Sequence, residues 1–148
     1  MVRGVHCRQY GAMDKTRDEH ITAFIVEDSP YIRERLAALL TQTGGIAIVG
    51  EADTPKSAVE GILRTRPDYV VLDVHLIGGS GLEVLKTVLP MVPGTVFVVL
   101  TNHPDPRYRR IFADAGASAF LDKSAEFDMV AKTIIAGTAR RSQNLSLQ

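Results

Sequence analysis

Residues 21–30 read Ile-Thr-Ala-Phe-Ile-Val-Glu-Asp-Ser-Pro, and this stretch sets the pattern for the rest of the chain. Ile21–Val26 is a mostly apolar run without strict polar alternation, the mark of a parallel strand covered on both faces. Ser29 supplies a helix N-cap and Pro30 the first helical residue, so a helix begins almost directly after the strand. Ile32, Leu36, Leu39 and Leu40 then form one apolar stripe along it. Glu27 and Asp28 are left in the short turn between strand and helix.

Outward from this unit, the same strand-then-helix order recurs. Ile46–Val49, Tyr69–Leu72, Val96–Leu100 and Ala117–Leu121 read as further buried strands. Thr54-Pro55 opens a helix carrying Ala58, Ile62 and Leu63, and Gly81 opens one carrying Leu82, Leu85, Val88 and Leu89. Asp105-Pro106 starts a helix with Ile111 and Phe112 that ends at Gly116, and the last helix carries Phe127, Val130, Ile134 and Ile135. Five such (βα) units joined by right-handed crossovers predict an α/β fold with an open, doubly wound parallel sheet of five strands. Met1 to His20 is polar and aperiodic and reads as a mobile extension, with Met13 an alternative start; residues 21–140 form the domain and 141–148 a polar tail.

Composition narrows the function. A chain of 148 residues fits one domain with a real core. Its 17 basic and 17 acidic residues balance, which argues against a domain built mainly to grip nucleic acid or an anionic membrane. Apolar runs such as Val96–Leu100 fall far short of the ~18–20 residues a membrane helix needs, and no signal-peptide core opens the chain. The lone Cys7 makes no internal disulfide, and no Cys/His cluster has zinc spacing. The expectation is a soluble, cytoplasmic, single-domain protein.

In an open parallel sheet, ligands bind beyond the carboxyl ends of the strands. There the sequence places Glu27-Asp28 after the first strand, Asp73 after the third, Thr101 after the fourth and Lys123 after the fifth. Each alone is ordinary: an acidic pair often caps a helix, and a lysine is often a solvated loop charge. Their fall at the ends of one inferred sheet points to a site. Three close carboxylates raise one another's pKa unless a cation joins them, and Mg²⁺ suits a few carboxylates, several waters and an incoming phosphoryl group. Asp73, closing an apolar strand, is a candidate nucleophile on phosphorus. The Lys123 ammonium, the Thr101 hydroxyl and Mg²⁺ could each take one phosphoryl oxygen.

The sequence resembles the receiver domain of two-component response regulators. The resemblance is carried by Phe24-Ile25-Val26-Glu27-Asp28-Ser29, by Val70-Val71-Leu72-Asp73-Val74-His75-Leu76 with Gly78-Gly79-Ser80-Gly81-Leu82, by Val98-Val99-Leu100-Thr101, and by Gly116-Ala117-Ser118-Ala119-Phe120-Leu121-Asp122-Lys123. It implies a flavodoxin-like receiver fold with strand order 2-1-3-4-5 and Asp73 as phosphoacceptor. It further implies Mg²⁺ held by Asp28 and Asp73, by Glu27 through water and by the His75 backbone carbonyl. Thr101 and Lys123 would contact the phosphoryl group, and Phe120 would be the aromatic that turns inward as Thr101 moves. The implied donor is a sensor histidine kinase or phosphotransfer protein, docking on Tyr31 and Arg35 of the first helix and the Lys123–Ser124 loop. Such a protein is not an enzyme beyond its own phosphorylation and dephosphorylation.

Departures from the family pattern fall around the site. His75 stands two residues past the acceptor and Asn102 follows Thr101, so both are placed to tune access of water or donor. Ile77 stands where Pro is frequent. Ser124 follows Lys123 where Pro with a cis bond is usual; a cis bond before Ser would cost about 3–4 kcal/mol, so a trans bond is expected, with Ser124 free to cap the last helix. Too little chain follows Lys123 for a helix-turn-helix, so a stand-alone receiver is expected, with no direct nucleic-acid or membrane contact. Its output would be an unknown protein target or onward relay. Arg107, Arg109 and Arg110 read mainly as a solvated face; docking of a partner, or a homodimer through helix 4, strand 5 and helix 5, is the minority reading.

Rival readings differ in their residues. A haloacid-dehalogenase-type phosphohydrolase would carry Asp-x-Asp on its first strand, whereas the candidate nucleophile here lies on the third. A flavodoxin-like electron carrier would want a Ser/Thr/Gly-rich loop where Glu27-Asp28-Ser29-Pro30 stands. A degenerate receiver, binding partners without phosphorylation, is opposed by Asp28, Asp73, Thr101 and Lys123.

Overall fold

A computed structural model describes residues 21–102 and 105–146, with side-chain environments through residue 138; the proposed extension 1–20 lies outside the described residues. The chain runs β1 (Ile21–Val26), α1 (Pro30–Thr43), β2 (Ile46–Ala52), α2 (Pro55–Thr65), β3 (Tyr69–Leu72), the short strands β4 (His75–Leu76) and β5 (Gly79–Ser80), α3 (Gly81–Val88), β6 (Val96–Thr101), α4 (Pro106–Asp114), β7 (Ala119–Asp122) and α5 (Met129–Ser146). The five main strands form one parallel sheet in the order β2-β1-β3-β6-β7, while β4 and β5 pair as an antiparallel hairpin. Counting only these five, this is the doubly wound 2-1-3-4-5 order that the sequence predicts.

Strand periodicity of two divides the core into two layers. Phe24, Val26, Val70 and Leu72 face Ala58 and Ile62 of α2, Val84, Leu85 and Val88 of α3, and Phe112 of α4. Ala23, Ile25 and Val71 face Leu36 and Leu40 of α1 and Val130 and Ile134 of α5. Both faces of the sheet are therefore covered, which explains why its strands lack polar alternation. The expected caps operate: the Ser29 hydroxyl accepts from the Ile32 N–H, Thr54 forms a capping box, and the Asp105 carboxylate accepts from the Arg107 N–H; Ser80 adds a second capping box ahead of Gly81.

Several boundaries and one cap differ from what the sequence predicts. Strand β2 continues past Val49 to Ala52 through a register shift, in which Ala23 pairs Ile48 and Phe24 pairs Gly50. A Cβ at Gly50 or Gly61 would stand 2.5 Å from the Phe24 ring, so the two glycines make the space that ring fills. Strand β7 begins at Ala119 rather than Ala117, because residues 116–118 form the turn out of α4. Gly116 takes a φ of 115° there, and the Ala117 N–H returns to the Phe112 carbonyl. Helix α5 extends to Ser146 through most of the residues read as a tail; that segment has no Gly or Pro beyond Gly137 to stop it. Finally, the Lys123–Ser124 peptide is trans, as expected. Ser124 does not cap α5, which starts at Met129; its hydroxyl donates to the Asp122 carboxylate at 2.8 Å. Among the described residues no helix is long and apolar enough to cross a membrane.

Candidate phosphoryl and metal site

Parallel register builds the site. Leu72 of β3 pairs with Val26 on one side and Val99 on the other, so the residues that follow emerge at one height on the carboxyl edge. The ladder carries one step further: the Asp73 N–H donates to the Val26 carbonyl at 3.0 Å, and the Glu27 N–H to the Ala52 carbonyl at 2.9 Å. Both acidic residues are thus fixed by backbone bonds. Helix α3 closes in from below, its Gly81 N–H donating to the Val74 carbonyl at 2.7 Å. A Cβ at Gly81 would collide with the Asp73 carbonyl oxygen, so this approach requires glycine.

Glu27, Asp28 and Asp73 come together with carboxylate oxygens within 4.8 Å of one another, Glu27 and Asp73 buried and Asp28 half-buried. The Lys123 ammonium, only 9% exposed, donates to Glu27 Oε1 at 2.8 Å and to Asp73 Oδ2 at 3.1 Å. Glu27 Oε2 also accepts the Ser29 N–H at 3.0 Å. Burial, with the Asp73 charge added, pushes the Glu27 carboxyl up to about 7, against the opposing pull of the Lys123 and Ser29 hydrogen bonds. Near neutral pH the cluster therefore carries fewer than three full negative charges. For Lys123, burial would favour the neutral amine, but the Glu27 bond and the two carboxylate charges outweigh it and hold the ammonium above its ordinary value. A set of hard oxygen donors with one flexible ammonium fits a hard divalent cation.

Thr101 is fully buried at the end of β6, in register with Asp122, the residue before Lys123. Asn102 follows it, exposed. His75 is exposed on the hairpin, its ring meeting Tyr108 of α4 edge-on at 5.9 Å. Phe120 is packed inward at 7% exposure, 6.0 Å from the Phe112 ring, with the Arg109 guanidinium 4.9 Å over its face. Arg109 also donates to the Phe120 carbonyl at 3.1 Å, so one arginine of the presumed solvated patch belongs to the fold. On the opposite side, Arg35 lies 5.7 Å from the Tyr31 ring and 4.4 Å from that of Phe127.

Two contacts carry no signal in the sequence. Gly81 reads as the start of a helix, but nothing local announces its approach to the Asp73 carbonyl. Arg33 reaches back from α1 to donate to the Glu27 carbonyl at 2.7 Å, and no spacing rule announces that contact.

The fold and the acidic cluster define a doubly wound α/β protein with an acid-rich, lysine-bearing site at the sheet's carboxyl edge. The response regulator receiver domain family matches residues 23–135, and the chain belongs to that family. It is similar to protein-glutamate methylesterase/protein-glutamine glutaminase 1 of Syntrophus aciditrophicus, 30% identical over 129 residues, covering 83% of this chain and 37% of that protein. It is also 30% identical over 114 residues to the DNA-binding transcriptional activator DevR/DosR of Mycobacterium tuberculosis, covering 77% of this chain and 52% of that one. A LuxR-family two-component response regulator from Aurantimonas sp. SI85-9A1 superposes with a TM-score of 0.73 at 29% identity, covering 80% of this chain and 86% of that one. The chain thus spans about a third to a half of the two curated relatives' lengths. Phosphoacceptor signalling, Mg²⁺ bound through acidic residues, and contact with histidine kinases or phosphotransfer proteins are general features of this family.

Proposed function

We propose that this receiver accepts a phosphoryl group on Asp73 from the phosphohistidine of a sensor kinase or phosphotransfer protein. The observation that carries this reading is the placement of Asp73. It is buried, closes an apolar central strand, shares its surroundings with two carboxylates, and has the Lys123 ammonium 3.1 Å away. In the transfer, an Asp73 oxygen forms a bond to phosphorus while the P–N bond breaks and the donor imidazole leaves with the electron pair. Asp28 and Asp73 would hold Mg²⁺, with Glu27 acting through water and the His75 carbonyl completing the protein's share. The ion supplies charge neutralisation for the phosphoryl oxygens. Lys123, already bonded to Asp73, is placed to follow the charge onto the phosphoryl group, and the Thr101 hydroxyl takes another oxygen.

Movement of Thr101 would be read by Phe120, whose ring and carbonyl are both engaged by Arg109 of α4. The face of α4, β7 and α5 is then the output surface, open to a protein target or a second copy. The donor would dock on α1, where Tyr31 is 66% exposed beside Arg35, together with the Lys123–Ser124 loop. His75 and Asn102, exposed at the mouth, would set how readily water reaches the acyl phosphate.

Intact-protein mass spectrometry after incubation with acetyl phosphate tests this, with and without Mg²⁺, beside Asp73→Asn. A single Mg²⁺-dependent adduct, absent from the variant, is expected. Undiminished labelling of the variant would overturn the assignment of Asp73, and a wild type that labels from neither acetyl phosphate nor a phosphohistidine donor would leave a receiver read through binding alone.

A further inference from the structure

We infer that Arg33 is a positioning residue for the cation site: it orients Asp28 through the Glu27–Asp28 peptide, with Glu51 as its anchor. This rests on the reading that Glu27, Asp28 and Asp73 hold Mg²⁺. Arg33 sits in the first turn of α1, and its Nη1 donates to the Glu27 carbonyl at 2.7 Å. Its Nε lies 3.4 Å from Glu51 Oε1 near the end of β2, and the two side chains are only 13% and 20% exposed. One guanidinium therefore ties α1 and β2 to the peptide that carries Asp28.

That peptide matters because of what Asp28 lacks. Glu27 is held through its N–H, both carboxylate oxygens and its carbonyl. Asp73 is held by its N–H and by Lys123. Among the described residues no hydrogen bond or ion pair reaches the Asp28 carboxylate, so no polar partner among them orients it apart from its own backbone. The two peptides flanking Asp28 are each pinned once in this turn. Arg33 takes the carbonyl of the one before it, and the Glu27 carboxylate takes the Ser29 N–H of the one after it. Outer-shell groups of this kind orient ligands and commonly govern metal affinity by about 10–100-fold.

The sign of the effect separates positioning from charge. Arg33 is a cation beside an acidic cluster, so as a mere charge it repels Mg²⁺, and its removal would tighten binding. As a positioning residue its removal loosens Asp28 and weakens binding. Arg33→Lys keeps the charge but loses the rigid fork that serves two acceptors at once.

Calorimetric Mg²⁺ titration of wild type, Arg33→Ala, Arg33→Lys and Glu51→Gln tests this, with thermal melts in EDTA alongside. The expected result is a Kd raised about tenfold in Arg33→Ala, little recovery in Arg33→Lys, and a smaller loss in Glu51→Gln. In an Asp28→Ala background, Arg33→Ala should add almost nothing. Equal or tighter binding in Arg33→Ala, or a full additional loss in that background, would overturn the inference while leaving the metal site standing. A wild type that binds no Mg²⁺ would overturn the metal site itself and the inference with it. If Arg33→Ala fails to fold, Arg33→Lys decides, because the charge is unchanged: weaker binding supports the inference, and wild-type binding overturns it.

Discussion

The two ends of β3 carry the same side chain in opposite circumstances. Asp68 precedes the strand, and its carboxylate accepts the Thr22 N–H at 2.9 Å and the Thr22 hydroxyl at 3.1 Å, while its own N–H donates back to that hydroxyl at 2.9 Å. Nearby, the buried Thr95 hydroxyl donates to the Pro67 carbonyl at 2.7 Å. That end is a closed local circuit of neutral donors. Asp73, at the other end, faces two further carboxylates and shares one ammonium with Glu27. A carboxylate satisfied by neutral neighbours ties two strands together; carboxylates turned toward each other repel, and a cation or a proton relieves the repulsion. One end is satisfied within the fold; the other is where the proposed chemistry lies.

The largest break in that contrast is all-or-none. Asp73→Asn should lose every Mg²⁺-dependent phosphoryl adduct, whereas Asp68→Asn should label as wild type does; intact-protein mass spectra of both variants check it. Next comes the metal. On the proposed reading Asp28 is a direct ligand, so Asp28→Ala should lower Mg²⁺ affinity by about 100-fold or more, at least the upper end of what losses around the ligands reach, while a titration of Asp68→Ala stays at the wild-type value. Stability should run the other way. Asp68→Ala leaves the Thr22 N–H and hydroxyl without their acceptor and should cost about 1–3 kcal/mol in urea unfolding. Asp28→Ala, breaking no bond among the described residues, should cost little.

The site was legible because its carrier strands are so plain. Tyr69–Leu72 is apolar throughout, so the Asp that follows it had to emerge at a strand end, and parallel pairing with Val26 fixed what stood beside it. The helix starts were legible because Ser29-Pro30, Thr54-Pro55 and Asp105-Pro106 are local signals that capping geometry obeys. What stayed hidden depends on contacts distant in sequence. The second strand reads as ending at Val49, whereas it runs on through Gly50, across which the Phe24 ring lies. Arg109 reads as one charge in a solvated run until Phe120 is folded beneath it. Ser124 reads as a cap until Asp122 takes its hydroxyl. Arg33 carries no pattern at all, since its partners are a backbone carbonyl and a glutamate on another strand.

The finest test of the contrast is Thr22→Val. The Thr22 hydroxyl both donates to Asp68 and accepts its N–H, so valine, nearly the same shape, deletes two hydrogen bonds without opening a cavity. The Thr22 N–H remains on the carboxylate, which keeps it partly satisfied. The loss should be about 1–2 kcal/mol, two hydrogen bonds at roughly 0.5–1.5 kcal/mol each, read as a lowered urea midpoint with an unchanged slope. Mg²⁺ affinity and phosphoryl labelling should not move, because β3 between the two ends is rigid, apolar and bonded on both sides. A Mg²⁺ affinity that fell in step with stability would show that the strand transmits strain from one end to the other, and the division between a structural end and a chemical end would fail.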